Sequence, residues 1–186
     1  MMRELSLNVM DVAQNSVRAQ ADLVRISVEE SDREDFLRIT IADDGCGMTE
    51  EQVQQVIDPF FTTRTTRKVG LGVPLFKLSA EQTGGSFDIR SQKGVGTTTT
   101  ATYVKSHVDM TPLGDINSTV EILIRCNPGI DFVFTRSTDL GSFTLDTREL
   151  REVLEGVSLD TPDVLEWIRA YLTEQTQSII GGADIP

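Results

Sequence analysis

The chain has few of the residues from which many reactive sites are made. Its two cysteines, Cys46 and Cys126, form no metal-binding or redox spacing and are too few for a disulfide scaffold, which agrees with a reducing compartment. Its one histidine, His107, leaves the later part of the chain without a Cys/His ligand set or a nucleophile with a histidine partner. In the run SHVDM a structural or solvent-facing role is expected for it, with a phosphoacceptor role as the alternative. No apolar run reaches the ~18 residues of a membrane span. Glu4, Asn8 and Asp11 also interrupt the stretch that a signal peptide would keep apolar. The expectation is a cytoplasmic protein with no membrane partner. Positive charge is scarce in one region: residues 1 to 106 hold 12 basic and 15 acidic groups, and residues 107 to 186 hold 5 and 14. Binding to a phosphate backbone needs Lys and Arg, so no nucleic-acid partner is expected.

What is present is a soluble composition, 186 residues with 39% hydrophobic content, enough for one good core or a core with a modest appendage. Four short motifs follow one another: DVAQNS at 11 to 16, DDGCGM at 43 to 48, DPFFTTRTTRKVGLGV at 58 to 73, and KGVGTTT at 93 to 99. The first 22 residues read as an amphipathic helix. Its polar stripe is Glu4, Asn8, Asp11, Asn15, Arg18 and Asp22, and Leu5, Val9, Val12, Ala13 and Val17 cover the packed face. Such a stripe is either a solvated face or, because Asp11 and Asn15 lie one turn apart, a place where a carboxylate and an amide oxygen meet one cation or water. Alternation over residues 24 to 28 and 36 to 42, across a charged loop at 31 to 35, reads as a hairpin.

Asp43 and Asp44 end that hairpin. Gly45, Cys46 and Gly47 then make a tight turn, which either is only turn chemistry or lets a ligand approach the backbone beside a carboxylate. Cys46 is read as a small packed residue, with an oxidation-sensitive thiol as the alternative. Thr49 to Gln52 spells a capping box for a short helix carrying Val53, Val56 and Ile57. Residues 58 to 69 lack hydrophobic periodicity. A helix then starts near Leu71, with Leu75, Phe76 and Leu78 as its apolar side and Gly84 and Gly85 as its stop. Its free N–H groups and positive dipole end suit phosphates, and the threonines and arginines before it suit a flexible lid. Arg64, Arg67 and Lys68 are a local cation cluster matched to a small anion. Strands at 87 to 91 and 97 to 104 are joined by a glycine turn at 94 to 96.

With these residues in place, residues 1 to about 106 resemble the ATP-binding domain shared by gyrase, Hsp90, histidine kinases and MutL, and most resemble the histidine kinase ATPase domain. The resemblance implies an α/β fold: a two-layer sandwich of the Bergerat type, a mixed sheet with helices on one face. No G-x-x-x-x-G-K-[ST] occurs, so the chain is not of the P-loop type. The implied cofactors are ATP and Mg²⁺. Asn15 matches the asparagine that holds the metal against the phosphates, and Asp43 the acid that accepts a hydrogen bond from the adenine amine. Gly45 and Gly47 would pass beneath adenine and ribose, Gly70 and Gly72 would open the phosphate-binding helix, and Thr97 would assist Asp43. Arg18, Met48, Phe60, Thr63, Arg64, Arg67, Lys68 and Leu71 complete the implied nucleotide-binding set.

Two positions depart from the family pattern. Asp11, the implied catalytic residue, stands where a glutamate usually orients the attacking water; one methylene less shortens its reach and implies slow hydrolysis. Lys68 replaces a glycine, and contact with the γ-phosphate, stiffening of the lid and exposure to solvent are all compatible with it. Ten residues precede Asp11 and none is histidine, so autophosphorylation of the usual kind is not expected.

Residues 107 to 186 lie outside the resemblance and read as a small α+β extension: a helix at 114 to 125, a hairpin of 132 to 135 with 142 to 145, and a helix from Thr161-Pro162-Asp163 through Trp167, Ile168 and Leu172, frayed after Gln177. Binding of a protein partner or homodimerisation is its expected role, and its acidity either steers a basic partner or serves solubility. Three functions follow. The first is a stand-alone Mg-ATP-binding protein, a slow ATPase whose lid ordering controls a partner. The second is a serine kinase acting in trans, like the anti-sigma-factor kinases. The third is a nucleotide sensor that does not hydrolyse ATP.

Overall fold

A computed structural model of the chain describes residues 2 to 60 and 71 to 181. Six strands form one mixed sheet in the order β3-β4-β2-β1-β5-β6. They are β1 (Leu23–Ser31), β2 (Phe36–Asp43), β3 (Ser86–Gln92), β4 (Gly96–Val104), β5 (Asp131–Thr138) and β6 (Gly141–Asp146). The hairpins expected from alternation and from turn residues are present: β1 pairs antiparallel with β2, β3 with β4, and β5 with β6. The join that alternation could not reveal is between β1 and β5, which run parallel with Val24 beside Phe132 and Ile26 beside Phe134. Residues beyond 107 thus extend the same sheet as residues 23 to 104.

Every second residue explains which face is packed. Val24, Ile26, Val28, Leu37, Ile39, Ile41, Ala101, Tyr103, Phe132 and Phe134 are buried under helices, as period-two patterning requires of a sheet covered on one side. The opposite face is polar. There Arg38 Nε donates to Thr102 Oγ1 (3.4 Å), and the guanidinium lies over the Phe36 ring, 5.1 Å from its centroid. At the end of the packed face Glu30, in step with Val28, accepts hydrogen bonds from Lys105 (3.2 Å) and Arg136 (3.3 Å), tying β1 to β5 and to the end of β4. Burial works against the Lys105 charge, but the Asp32 hydrogen bond and the Glu30 carboxylate outweigh it and raise the ammonium pKa.

The first helix, α1 (Leu5–Arg18), is shorter than the polar stripe suggests. Gln20 takes a left-handed φ of 58°. Its N–H donates to the Val17 carbonyl (3.0 Å) while the Ala21 N–H donates to that of Ser16 (3.2 Å). This Schellman closure usually uses glycine, so glutamine hid it. The stripe is broken at both ends: Asp22 lies past the helix, and Asn8 is buried rather than solvated. No side chain caps α1. Instead the Leu5 and Ser6 N–H groups donate to the carbonyls of Pro112 (2.9 Å) and Leu113 (2.8 Å), so the segment after β4 supplies the cap.

Helix α2 (Glu50–Ile57) carries the expected capping box between Thr49 and Gln52. Helix α3 (Gly72–Gln82) packs through Val73, Pro74, Phe76 and Ala80, and Leu78, expected on its apolar side, is exposed. Helix α4 (Ile116–Cys126) begins two residues later than expected because the Asp115 side chain caps it, accepting from the Ser118 N–H at 2.9 Å. Helix α5 (Thr147–Leu154) was not anticipated; the Asp146 carboxylate starts it by accepting from the Arg148 N–H (2.9 Å). Helix α6 (Pro162–Ile180) is not frayed after Gln177: Ile179 is buried, its carbonyl accepts from Thr138, and Gly181 closes the helix at φ 75°.

Candidate functional site

A cavity of about 470 Å³ opens between α1, α3 and the ends of β2, β3 and β4. Its walls are largely apolar, with Ile41, Met48, Val56, Val73 and Ile89 around one carboxylate, Asp43. That carboxylate is held from two directions. The Ser16 hydroxyl, one residue after Asn15 on α1, donates to Oδ2 at 2.6 Å, and the Gly45 N–H donates to Oδ1 at 2.9 Å. A carboxylate oxygen has room for more than one hydrogen bond, so Asp43 stays fixed in direction and open to a further donor. An apolar slot with one oriented acceptor suits a flat ring bearing an exocyclic amine.

The two adjacent acids do different work. Asp44 Oδ1 accepts from the N–H groups of Asp22 (2.8 Å) and Leu23 (2.9 Å), which pins the turn between α1 and β1 and leaves Asp43 alone to face the cavity. Thr97 stands opposite Asp43 across the β2–β4 ladder, and Ser91 stands opposite Thr97 across β3–β4. The Ser91 hydroxyl also accepts from the Met48 N–H (2.8 Å) and shares a hydrogen bond with the Thr97 hydroxyl (2.7 Å). It therefore joins the glycine turn to the last motif. Ser16 and Ser91 are the site residues that the sequence reading missed. Ser16 was inside the first motif and buried beside Asn15; Ser91 carried no signal apart from its place on a strand.

The glycines have a reason to be glycine that differs from the expected one. A Cβ on Gly47, at φ 64°, would lie 1.9 Å from the Gln92 carbonyl oxygen, and one on Gly45 would lie 2.8 Å from Ala19. Both glycines are demanded by contact of the chain with itself, although Gly47 also lines the cavity. Gly72 is where α1 and α3 touch: a Cβ there would sit 2.8 Å from the Asp11 Cβ. Cys46, expected to be packed, is exposed on the cavity rim, because its backbone is what the turn uses; its N–H donates to the Ala19 carbonyl (2.9 Å) and its carbonyl accepts from the Gly94 N–H (2.7 Å).

Asn15, Arg18, Asp43, Gly47, Met48 and Thr97 come together around the cavity as the motifs suggested. Asp11 does not line it. It is exposed, one turn before Asn15 and against Gly72 at the start of α3. Leu71 is exposed at the N-cap of α3, and Phe60 is exposed beyond α2. Thr63, Arg64, Arg67, Lys68 and Gly70, with the lid expected around them, lie outside the described residues. For a metal, the Asn15 amide oxygen now accepts from Arg18 Nη1 at 3.2 Å. Among the described residues no group of three His, Cys, Asp or Glu side chains converges. One amide oxygen with Asp11 a turn away fits Mg²⁺, which takes few protein ligands and completes its shell with phosphate and water oxygens.

Residues 2–107 match the family model of the histidine kinase-, DNA gyrase B- and HSP90-like ATPases. The sensor protein SrrB of Staphylococcus aureus strain NCTC 8325 is 37% identical over 102 residues, covering 52% of this chain and 17% of SrrB, and the strain COL protein matches equally. The chain thus spans about a sixth of the length of these relatives. Among solved structures, the Aquifex aeolicus MutL ATPase domain complexed with ADP superposes with a TM-score of 0.50 at 15% identity, over 83% of this chain and 70% of that one. The N-terminal domain of a DNA repair protein gives 0.51 at 13%, over 78% and 52%. The likeness to MutL covers more of the chain than residues 2–107 and shows the shared α/β sandwich. Among the described residues, no helix is long and apolar enough to cross a membrane.

Proposed function

Because the chain belongs to the histidine kinase-, DNA gyrase B- and HSP90-like ATPase family, we propose that it binds Mg-ATP in the cavity at Asp43, hydrolyses it slowly, and uses nucleotide occupancy to alter its contact with a protein partner. The observation that carries this reading is the Asp43 carboxylate, aimed by Ser16 and the Gly45 N–H into an apolar slot. Adenine enters that slot and donates its amino group to Asp43, while Thr97 lies at the same edge. Asn15 would hold the metal through the amide oxygen that now accepts from Arg18, and Arg18 would then meet a phosphate oxygen. When bound, Mg²⁺ would supply neutralisation of the phosphate charge. The start of α3 offers N–H groups at its positive dipole end, with Pro74 in its first turn. In this reading Asp11, which packs against Gly72 at the start of α3, orients the attacking water.

Equilibrium binding of Mg-ATP to the purified chain tests the reading: saturable binding that Asp43→Asn weakens supports it, and no affinity in the millimolar range removes it. A second reading, a sensor without hydrolysis, is favoured by the position of Asp11 outside the cavity wall and by its short side chain. Tight binding with no ADP formed over hours selects the sensor, and ready turnover lost in Asp11→Asn selects the ATPase.

A further inference from the structure

A second concavity lies in the part of the chain that the family match leaves out. It is a groove of about 580 Å³ between α5, α6 and β6 and shares no residue with the nucleotide cavity. Leu150, Val153, Leu154, Val164, Trp167 and Tyr171 make its apolar surface. Val153 is 81% exposed and Trp167 49%, an arrangement that costs solubility unless something covers it. The aromatic side of the groove is held by contacts. Trp167 stacks on Tyr171 with centroids 5.1 Å apart and planes at 13°. Tyr171 in turn donates its hydroxyl to the Thr144 carbonyl (3.1 Å) and meets Phe143 edge-on at 6.3 Å. Pre-ordered aromatic rings beside aliphatic side chains are the usual anchors of a protein contact.

Charge selects the occupant. Asp146, Glu149 and Asp163 line the groove, and among the described residues no cationic side chain does. Arg148 pairs with Asp146 at 2.6 Å, whereas Glu149 and Asp163 form no ion pair among the described residues. A second copy of this chain, with a net charge of −12, would bring carboxylates to carboxylates, and an anionic bilayer would be repelled in the same way. We propose that the groove docks a basic amphipathic segment of a partner protein, its apolar side chains against Val153 and Trp167 and its Lys or Arg residues against Glu149 and Asp163. The site deepens the partner contact proposed above, and its separation from the Asp43 cavity lets each be tested alone.

Trp167 is the chain's one tryptophan, so its fluorescence reports on the groove directly. The full chain, without nucleotide, is titrated with a synthetic amphipathic peptide of leucine and lysine at helical spacing, and with its leucine and glutamate counterpart. The expected result is a saturable blue shift with the lysine peptide alone, weakened by salt. Val153→Asp should weaken that binding about tenfold or more although it adds negative charge, and Val108→Asp, at a site 92% exposed elsewhere, should not. Glu149→Lys with Asp163→Lys should turn the preference toward the glutamate peptide. Val153 is exposed, so unchanged circular dichroism and unchanged Mg-ATP affinity are expected for its variant. An equal response to both peptides, an unchanged response in Val153→Asp, or no spectral change overturns the proposal. So does a dimer of the chain alone that Val153→Asp dissolves, which would assign the groove to a second copy. Mg-ATP affinity is read on the same preparations, so failure of the nucleotide reading shows separately.

Discussion

The two concave sites of this molecule are built in opposite ways. At the Asp43 cavity a single acceptor is aimed by two short hydrogen bonds, from Ser16 and from the Gly45 N–H, and apolar walls surround it. At the Trp167 groove the apolar surface lies outside, and the carboxylates sit among it without a fixed partner except at Asp146. The first arrangement selects a small molecule by the direction of one hydrogen bond. The second selects a long, charged, greasy segment by area and sign. The difference teaches that a site read by direction needs particular residues in short motifs, whereas a site read by area can be assembled from ordinary ones.

Both sites nevertheless hang on one sheet, and the largest expected effect tests that link. Phe134 is buried beside Ile26 of β1 and meets Phe143 edge-on at 5.9 Å. Phe134→Ala should cost about 3–5 kcal/mol, read by urea unfolding, and the transition should stay single, with Mg-ATP affinity and Trp167 fluorescence lost together. Two separate transitions would break the account of a shared core and give residues 107 to 186 an independent fold.

Next in size is the directional site itself. Asp43→Asn keeps the shape but replaces the charged acceptor, and about 1.5–3 kcal/mol of nucleotide affinity should go with it, roughly 10- to 150-fold in Kd. Gly47→Ala sharpens the same contrast from the backbone side. Its methyl would meet the Gln92 carbonyl at 1.9 Å in a left-handed conformation, so stability should fall by about 1–3 kcal/mol with affinity falling alongside. A variant that lost affinity alone would mean that the glycine serves the ligand rather than the fold.

Much of this was legible beforehand for definite reasons. Alternation showed the first hairpin, the turns at 94 to 96 and 139 to 141 showed the other two, and Thr49 with Gln52 showed the start of α2, because those signals are local. The parallel join of β1 to β5 is not local, and no periodicity encodes it. Helix α1 ended early because a glutamine, not a glycine, occupies the left-handed cap at position 20. Helix α5 is eight residues long and buries only Thr147; its apolar residues Leu150, Val153 and Leu154 do recur at helical spacing, but over two turns that signal is too short to stand out. At the site, Asp43 and Asn15 stood out by chemistry, while Ser16 and Ser91 act by orienting other groups, a role that residue type alone does not reveal.

The smallest effect concerns the groove. Hydrogen bonding and charge from Arg148 hold the Asp146 carboxyl below its ordinary value. A carboxyl with a depressed folded pKa contributes stability that is complete above its unfolded pKa and is lost as pH falls through the folded one. Asp146→Asn should therefore flatten the acid limb of the stability curve below about pH 4, followed by thermal unfolding, and leave neutral-pH nucleotide affinity unchanged. A loss of affinity at neutral pH would show that the two sites are coupled.

The most direct test of the central claim is the affinity of the purified chain for Mg-ATP, measured beside Asp43→Asn and Asp146→Asn. The account predicts saturable binding, weakened at least about tenfold by the first substitution and untouched by the second. No binding at millimolar ATP, or equal binding by all three proteins, would contradict it.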